Sequence, residues 1–293
     1  MDYKEGFIKV PGGRVWYGIT GQGSPGIPLI VVHGGPGATH DYLETIGELS
    51  MRRPVIFYDQ LGSGNSDKNY DPSLYKAERF ARELGILIEE LNAGRVFLLG
   101  ASWGTMLITE YMSGKPDGVA GIVFSGPAIS ARLFTRDARR LLRRLPASAR
   151  KAIYEAEQKQ NYGEEYQKAM MQFYDRHLCR LSPYPDCMNK TLEKLSPYVY
   201  EYMWGPSEFT CTGTLKDFDR VDTLEEINVP ALFTCGRYDE ATPDTTRFYC
   251  SKLPGSSFIV FEDASHCHHL EKKDEYNTAV ETFLRDAEKK SFY

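Results

Sequence analysis

The chain has 293 residues, of which 42% are hydrophobic and 26% charged, fractions that exclude wholesale disorder, a collagen repeat and a coiled coil. Its 35 basic and 40 acidic side chains give a formal net charge of −5, which leaves no basic excess for binding a nucleic acid. No apolar run approaches the ~18 residues of a membrane span, and the N-terminus lacks the apolar stretch of a secretory signal. We expect a cytoplasmic protein with no membrane partner, and a monomer slightly before an oligomer.

The first 125 residues alternate predicted strands and helices. A hairpin is predicted at residues 6–10 and 15–19. Continuous apolar runs, typical of strands buried on both faces of a parallel sheet, follow at 28–33, 54–58, 95–99 and 121–125. Apolar residues at helical spacing predict helices at 74–91 and 102–112. This alternation predicts an α/β protein with a mostly parallel central sheet flanked by helices.

The sequence changes character near residue 130. Residues 132–202 are rich in Arg, Lys and Glu and contain no good strand, so we expect several helices there. Strands resume at 231–235 and 257–261, and a final amphipathic helix is predicted at 273–289.

A helical insertion within one sheet is a cap. We therefore divide the chain into a core at 1–129 and 216–293 and a helical cap at 130–215. The cap contains five arginines within residues 136–144, for which the sequence indicates no role.

Residues 100–104 (GASWG) match G-x-S-x-G between a predicted strand and a predicted helix. This context is typical of a nucleophile elbow, in which flanking glycines permit a tight turn that exposes the serine. The helix N-terminus behind the serine favours a developing negative charge. Ser102 is therefore the predicted catalytic nucleophile.

A serine hydroxyl needs a base to accept its proton, and the elbow architecture places an acid and then a histidine later in the chain. Asp239 follows the strand at 231–235, and His266 follows the strand at 257–261. We predict Asp239 as the orienting acid and His266 as the base. Their rivals are neighbouring acids and histidines, namely Glu240, Asp244, His268 and His269. We expect the two rival histidines to begin the next helix or to line the rim of the site.

Residues 33–37 (HGGPG) follow the first buried strand, and their glycines allow the backbone to approach the nucleophile closely. We predict an oxyanion hole formed by the N–H groups of Gly35 and Trp103. His33 precedes the glycines, so a structural role in bracing the loop is expected rather than a catalytic one.

No cofactor or metal is expected. Residues 21–26 fit the dinucleotide fingerprint G-x-G-x-x-G, but they precede a strand and contain Pro25, so a linker is predicted. Adjacent side chains such as Cys267, His268 and His269 cannot readily converge on one ion.

The six cysteines form no C-x-x-C pair, which disfavours a zinc site of ordinary spacing. Free thiols are the main expectation. A disulfide between Cys179 and Cys187 is the alternative, since both lie in one proline-rich loop, although an intracellular setting disfavours it.

The motifs together resemble the proline iminopeptidases of the α/β-hydrolase fold. The resemblance rests on HGGPG at 33–37, YDQLGSG at 58–64 and GASWG at 100–104. It is closest to the tricorn-interacting aminopeptidase branch, through HDY at 40–42, GPSEF at 205–209, TGT at 212–214 and DEATP at 239–243.

This resemblance implies a serine aminopeptidase that releases an N-terminal residue, often proline, from short peptides. It also implies that acidic side chains hold the free α-ammonium group of the substrate, and the matching positions are Glu208 and Glu240. Two carboxylates in a dry pocket gain strongly from a bound cation, and a substrate without a free N-terminus would leave them unpaired.

Two alternatives stay open from the sequence. An amino-acid amidase, or an esterase or lactonase, would use the same Ser102, Asp239 and His266. A binding protein that keeps the fold without turnover would also retain these residues, although an intact triad and oxyanion loop disfavour it.

Overall fold

The computed structural model describes residues 3–290, the last of them by its backbone alone. Eight strands form one sheet in the order β1-β2-β4-β3-β5-β6-β7-β8. The strands are β1 (Lys4–Val10), β2 (Gly13–Thr20), β3 (Leu29–Val32), β4 (Val55–Tyr58), β5 (Val96–Ala101), β6 (Val119–Ser125), β7 (Ala231–Gly236) and β8 (Ser257–Phe261). The β1–β2 and β2–β4 pairs are antiparallel and the other five are parallel, which confirms the predicted sheet.

In the described part of the chain, ten α-helices surround this sheet or lie over one edge of it. They are α1 (Ala77–Glu90), α2 (Trp103–Ser113), α3 (Ala131–Leu142), α4 (Ala147–Lys159), α5 (Glu164–His177), α6 (Asp186–Lys194), α7 (Pro197–Met203), α8 (Pro243–Lys252), α9 (His268–Glu271) and α10 (Lys273–Lys290). Short 3₁₀ helices lie at Asp41–Met51, Pro72–Leu74 and Asp222–Glu226. Helices α3–α7 all fall between β6 and β7, as the insertion in the sequence predicts.

The central strands are apolar because both of their faces are covered. Every residue of β3 is fully buried, and its side chains alternate between two cores. Ile30 and Val32 pack on one face with residues of α1 and α2, whereas Leu29 and Val31 pack on the other with residues of α10. A third core joins α3, α4 and α5 through side chains such as Leu141, Ile153 and Phe173.

The parallel strands direct several loops to one edge of the sheet. The loops that follow β3, β5, β7 and β8 begin at His33, Ser102, Arg237 and Glu262. Because the carboxyl ends of parallel strands meet at one edge, these loops gather the predicted site residues under helices α3–α7.

Within residues 3–290, no helix is both long enough and apolar enough to cross a membrane. All six cysteines are free, which confirms the main expectation, and the alternative Cys179–Cys187 disulfide is wrong. The Cys179 thiol instead interacts with the Cys267 thiol. Residues 21–26 form turns between β2 and β3, so the dinucleotide-like motif is a linker.

Candidate active site

Ser102 lies on a sharp turn between β5 and α2. Its backbone has φ 53° and ψ −119°, a conformation that L-residues rarely adopt. Its N–H donates to the carbonyl of Ser125 at 2.9 Å. A Cβ at Gly104 would lie 2.2 Å from the carbonyl oxygen of Val32, and one at Gly100 would lie 2.6 Å from that of Gly104. Both glycines of the G-x-S-x-G motif are therefore required for helix α2 to pack against the sheet.

His266 and Asp239 are joined by a short hydrogen bond. The Nδ1 atom of His266 lies 2.7 Å from Oδ1 of Asp239, which is buried and also accepts the N–H of Ala241 at 2.7 Å. Burial alone would lower the pKa of His266, but the Asp239 carboxylate, and after it Glu208, raise the pKa above its ordinary value. The structure thus brings Asp239 and His266 together as the sequence predicts.

The rival residues have other partners. His268 begins α9, and its Nε2 lies near the hydroxyls of Ser125 and Thr234 at 3.1 and 3.0 Å. His269 is also buried and contacts the carbonyl of Tyr42. Burial lowers the pKa of His268 to about 4 and that of His269 to about 3, so both are neutral. Both histidines begin the helix as expected, and their burial excludes the rim position. Asp244 is exposed and faces Arg140.

The loop at 33–37 lies against the nucleophile. A Cβ at Gly34 would lie 3.1 Å from Cβ of Ser102, and Gly35 has φ +110°, where a Cβ would meet the N of Ala38 at 2.6 Å. The hydroxyl of Tyr42 accepts the Gly34 N–H at 2.9 Å. The N–H of Trp103 is at the first position of α2, where no acceptor exists within the helix. Gly35 and Ser102 line the same cavity.

Gln60 connects the three sequence motifs, a role that sequence reasoning missed. Its N–H donates to Nε2 of His33 at 3.0 Å, and its side-chain amide donates to the His33 carbonyl at 3.0 Å. Its side-chain oxygen accepts the indole N–H of Trp103 at 2.8 Å. Burial lowers the pKa of His33 to about 4, so this histidine is a neutral brace, as predicted.

The YDQLGSG segment is held by a second buried histidine. Asp59 accepts the N–H and Nδ1–H of His40 at 2.9 and 2.8 Å and the N–H of Asn65 at 2.8 Å. Although burial would raise the pKa of Asp59, its hydrogen bonds, first of all the one with His40, lower it to about 2. This carboxylate is structural, and it fixes the loop that carries Gln60.

Glu208 and Glu240 form a pair of acids beside the histidine. Glu208 is partly exposed and accepts the hydroxyl of Tyr200 at 2.8 Å. Glu240 is fully buried, and neither of its carboxylate oxygens has a hydrogen-bond partner among residues 3–290. Burial raises the pKa of both groups, and the charges of Glu208 and Asp239 raise that of Glu240 further. The two acids therefore favour the binding of a proton or another cation.

Two cavities reach Ser102. The larger has a volume of about 330 Å³, and Gly35, Glu208 and His266 also line it. The smaller is a slot too narrow for a water molecule, walled by buried apolar side chains, namely Trp103, Met106, Ala128, Phe134 and Trp204. Glu208 borders both cavities, whereas Glu240 is not among their lining residues.

The inserted helices hold the catalytic loops in place. At the end of α5, the carbonyl of His177 accepts the N–H of His266 at 3.0 Å. The Nδ1 atom of the His177 ring contacts the carbonyl of Tyr238 at 2.7 Å. In α3, Asp137 accepts the hydroxyls of Thr242, at 2.6 Å, and Thr245. No motif in the sequence marks these contacts, because they join residues distant along the chain.

The arginine-rich segment also gains a role. Arg136 pairs with Asp137 and donates to Thr245, and Arg139 pairs with Glu157 of α4 at 2.7 Å. Arg140 faces Asp244 at 3.7 Å. These arginines tie α3 to α4 and α8.

Comparison with known proteins agrees with this geometry. A family model described as the alpha/beta hydrolase fold matches residues 27–273. A proline iminopeptidase of Heyndrickxia coagulans is 42% identical over 96% of this chain and 99% of its own. The crystal structure of proline iminopeptidase from Mycobacterium smegmatis has a TM-score of 0.91 at 33% identity, covering 98% of this chain and 100% of that one. The crystal structure of VinJ has a TM-score of 0.92 at 34% identity, covering 97% and 98%. This chain belongs to the proline iminopeptidase family of the α/β hydrolases.

Proposed function

We propose that this protein is a serine aminopeptidase that releases an N-terminal residue, proline foremost, from short peptides. The observation that carries the proposal is the acid pair. A buried, unpartnered Glu240 beside Glu208 offers two carboxylates to a cation at the edge of a cavity that Ser102 and His266 share. The identity with proline iminopeptidases over nearly the whole chain supports the same activity.

In the proposed acylation step, Ser102 attacks the carbonyl carbon of the first residue. Nε2 of His266 accepts the serine proton, and Asp239 holds the other ring nitrogen and stabilises the imidazolium. The N–H groups of Gly35 and Trp103 donate to the tetrahedral oxyanion. When the C–N bond breaks, the imidazolium gives its proton to the leaving amine, which departs as the shortened peptide.

Deacylation repeats these steps with water. His266 takes a proton from the water molecule as its oxygen attacks the ester carbon of the acyl-enzyme. Collapse of the second tetrahedral intermediate breaks the C–O bond and returns the proton to Ser102. The amino acid leaves with its new carboxylate.

The proposed recognition of a free N-terminus follows from the cost of burying charge. An isolated carboxylate in an apolar site is strongly unfavourable, so burial raises the pKa of Glu240 and favours its protonated form until a cation arrives. An α-ammonium group placed between Glu208 and Glu240 provides that cation and charge-assisted hydrogen bonds. An N-acylated peptide provides neither, and it leaves the acids unsatisfied.

The narrow slot beside Ser102 is the proposed site for the first side chain. Its walls include the rings of Trp103, Phe134 and Trp204, and the last two meet edge to face at 5.5 Å. The slot is too narrow for water in this structure, so its walls must separate to admit a side chain, and a compact apolar ring such as pyrrolidine requires less separation than a long side chain. The apolar walls also disfavour an acidic side chain, since the charged group at the border of the slot is the carboxyl group of Glu208.

We also propose the division of the chain into a core at 1–129 and 216–293 and a cap at 130–215. The separate core of α3, α4 and α5 supports this boundary. A cytoplasmic location is proposed too, and the six free thiols suit a reducing compartment.

The proposed function is tested with L-proline and L-alanine arylamides, their N-acetylated forms and a neutral aryl ester. We expect turnover of the free amines, proline first, and loss of at least ~10²-fold in kcat/KM on acetylation, the order of effect seen when buried polar groups lose their partners. Equal turnover of acetylated and free forms would show a general amidase or esterase instead.

Two variants test the proposed role of the acid pair in binding the ammonium group. Glu208→Gln and Glu240→Gln keep the shape of each side chain and remove its charge. We expect each to reduce kcat/KM for free amines by at least ~10-fold while sparing labelling of Ser102 by a neutral fluorophosphonate. Equal loss of both readouts would indicate structural damage and contradict the proposed role.

A further inference from the structure

The larger cavity extends from Ser102 outwards between helices α5, α6 and α7. Apolar side chains of these helices and of the segments after them form one part of its wall, namely Met170, Met171, Leu178, Met188, Leu192 and Leu195. Three of the six are methionines, whose unbranched side chains adapt to different apolar shapes. Neither the triad nor the acid pair accounts for this surface.

The direction of a bound peptide follows from the two cavities. The proposed ammonium site and the narrow slot, once widened, take the first residue, and the apolar side chains that wall the slot are all buried. The larger cavity is open to solvent, since Met171 is 39% and Leu192 is 47% exposed. The chain that follows the scissile bond must therefore leave Ser102 along this apolar wall.

The charge of the cavity adds a second constraint. Its described lining residues include two acids, Glu201 and Glu208, and neither a lysine nor an arginine. A carboxylate placed here would lose water without gaining a cationic partner, and it would face two acids. Both an acidic side chain and the free C-terminal carboxylate of a dipeptide meet this penalty.

We propose that this cavity is the subsite for the second residue of the substrate, and that it selects a large apolar residue whose own carboxyl group is blocked. The proposal rests on the proposed aminopeptidase function. It assigns the substrate class as tripeptides and longer peptides, or dipeptide amides, with an apolar second residue. Burying a leucine or phenylalanine side chain against this wall contributes favourable binding free energy, about 1.5–3 kcal/mol for complete burial.

The test is a series of prolyl dipeptides with one first residue. Proline release is measured from Pro-Leu-NH₂, Pro-Phe-NH₂, Pro-Gly-NH₂ and Pro-Asp-NH₂, and from Pro-Leu with a free carboxylate. We expect kcat/KM for the leucine and phenylalanine amides to exceed that for the glycine amide by ~10-fold, the scale at which apolar pockets discriminate. The aspartate amide and the free acid should be poorer again.

A charge variant tests whether the preference for an apolar second residue arises in this cavity. Leu192→Lys puts a cation into the exposed end of the wall, and it should raise the ratio of Pro-Asp-NH₂ to Pro-Leu-NH₂ turnover by ~10-fold. Met171→Lys repeats the test from α5 if the first variant folds poorly. Met51→Lys, at a position 89% exposed and outside the cavity lining, is the control and should leave the ratio unchanged.

The outcomes separate the two proposals. Proline released at similar rates from all five substrates would overturn the subsite and leave the aminopeptidase standing. No proline from any of them, with Ser102 still labelled by a fluorophosphonate, would overturn the aminopeptidase and the subsite with it. An unchanged ratio in both lysine variants would contradict the assignment to this cavity.

Discussion

Ser102 is held in a conformation that a side chain disfavours. With φ at 53°, alanine at this position retains the strain, whereas glycine relieves it. We therefore expect Ser102→Gly to have a free energy of unfolding about 1 kcal/mol higher than Ser102→Ala, measured by urea denaturation.

The matched control for this comparison is Ser113, an exposed residue at the end of α2. There the backbone is helical, so glycine should be less stable than alanine. The same order of stability at both positions would contradict strain at the nucleophile.

Asp239 controls the titration of His266. Only the neutral imidazole can accept the serine proton, so inactivation by a neutral fluorophosphonate should fall as pH drops through a pKa above the ordinary histidine value. In Asp239→Asn the charge that raises this pKa is gone while burial remains. The acid limb of the pH–rate profile should therefore move to lower pH. The rate should also fall on the order of 10⁴-fold, because the wrong tautomer is favoured.

The neutral probe matters for this measurement. Glu208 and Glu240 also titrate at raised pKa values in the free enzyme, and a cationic substrate would report them together with the histidine. A limb that stays in place in Asp239→Asn would show that His266 does not set it.

At the scale of elements, the attachment of α3 to α8 is the connection most open to test. Asp137 is 2% exposed and accepts two threonine hydroxyls at the start of α8, directly after the acid loop. Asp137→Ala should lower the free energy of unfolding by about 2–3 kcal/mol, because buried donors lose a charged acceptor. Urea denaturation measures the change.

Asp286→Ala is the control for Asp137→Ala, since Asp286 lies on the exposed face of α10 and its ion pairs with described residues, Arg285 and Lys289, are at the surface. It should change the free energy of unfolding by less than ~0.5 kcal/mol. A small effect of Asp137→Ala as well would show that this contact does not stabilise the junction.

The elements that the sequence predicted well are those whose signal is local. Strands such as β7 and β8 are continuous apolar runs, and the observed β8 spans the predicted residues 257–261. The 3₁₀ helix Asp41–Met51 was missed, because it has neither a capping side chain nor a simple helical period. Its residues are fixed by packing against α6, which lies far along the chain.

In the candidate site, too, some residues could be predicted from the sequence and others could not. Ser102, Asp239 and His266 could be predicted because the order of strands and motifs places them at one edge of the sheet. The connecting role of Gln60 and the bracing role of His177 could not, since each depends on partners that only the folded chain brings near. The tricorn-interacting branch stays a prediction.

At the scale of the whole molecule, the end of the chain closes the core. Arg53, which precedes β4 and is 1% exposed, pairs with Glu288 at 2.6 Å and Glu281 at 3.3 Å on α10. Glu288 also accepts the N–H of Ile27 before β3. The final helix therefore links the last part of the chain to the segments that lead into β3 and β4.

The acid pair has a consequence for the end of each catalytic cycle. Under the proposed recognition, the substrate arrives as a cation, and hydrolysis converts it to a zwitterion whose new carboxylate is formed in the cavity that Glu208 lines. Since the described lining offers no lysine or arginine to receive it, repulsion favours departure. L-proline should inhibit at least ~10-fold more weakly than L-prolinol, which lacks the carboxylate.

Competitive inhibition constants for the two compounds decide the point, and equal values would contradict it. The site would therefore bind the released amino acid more weakly than the substrate. Under the proposed function, released proline is expected to inhibit further turnover only weakly.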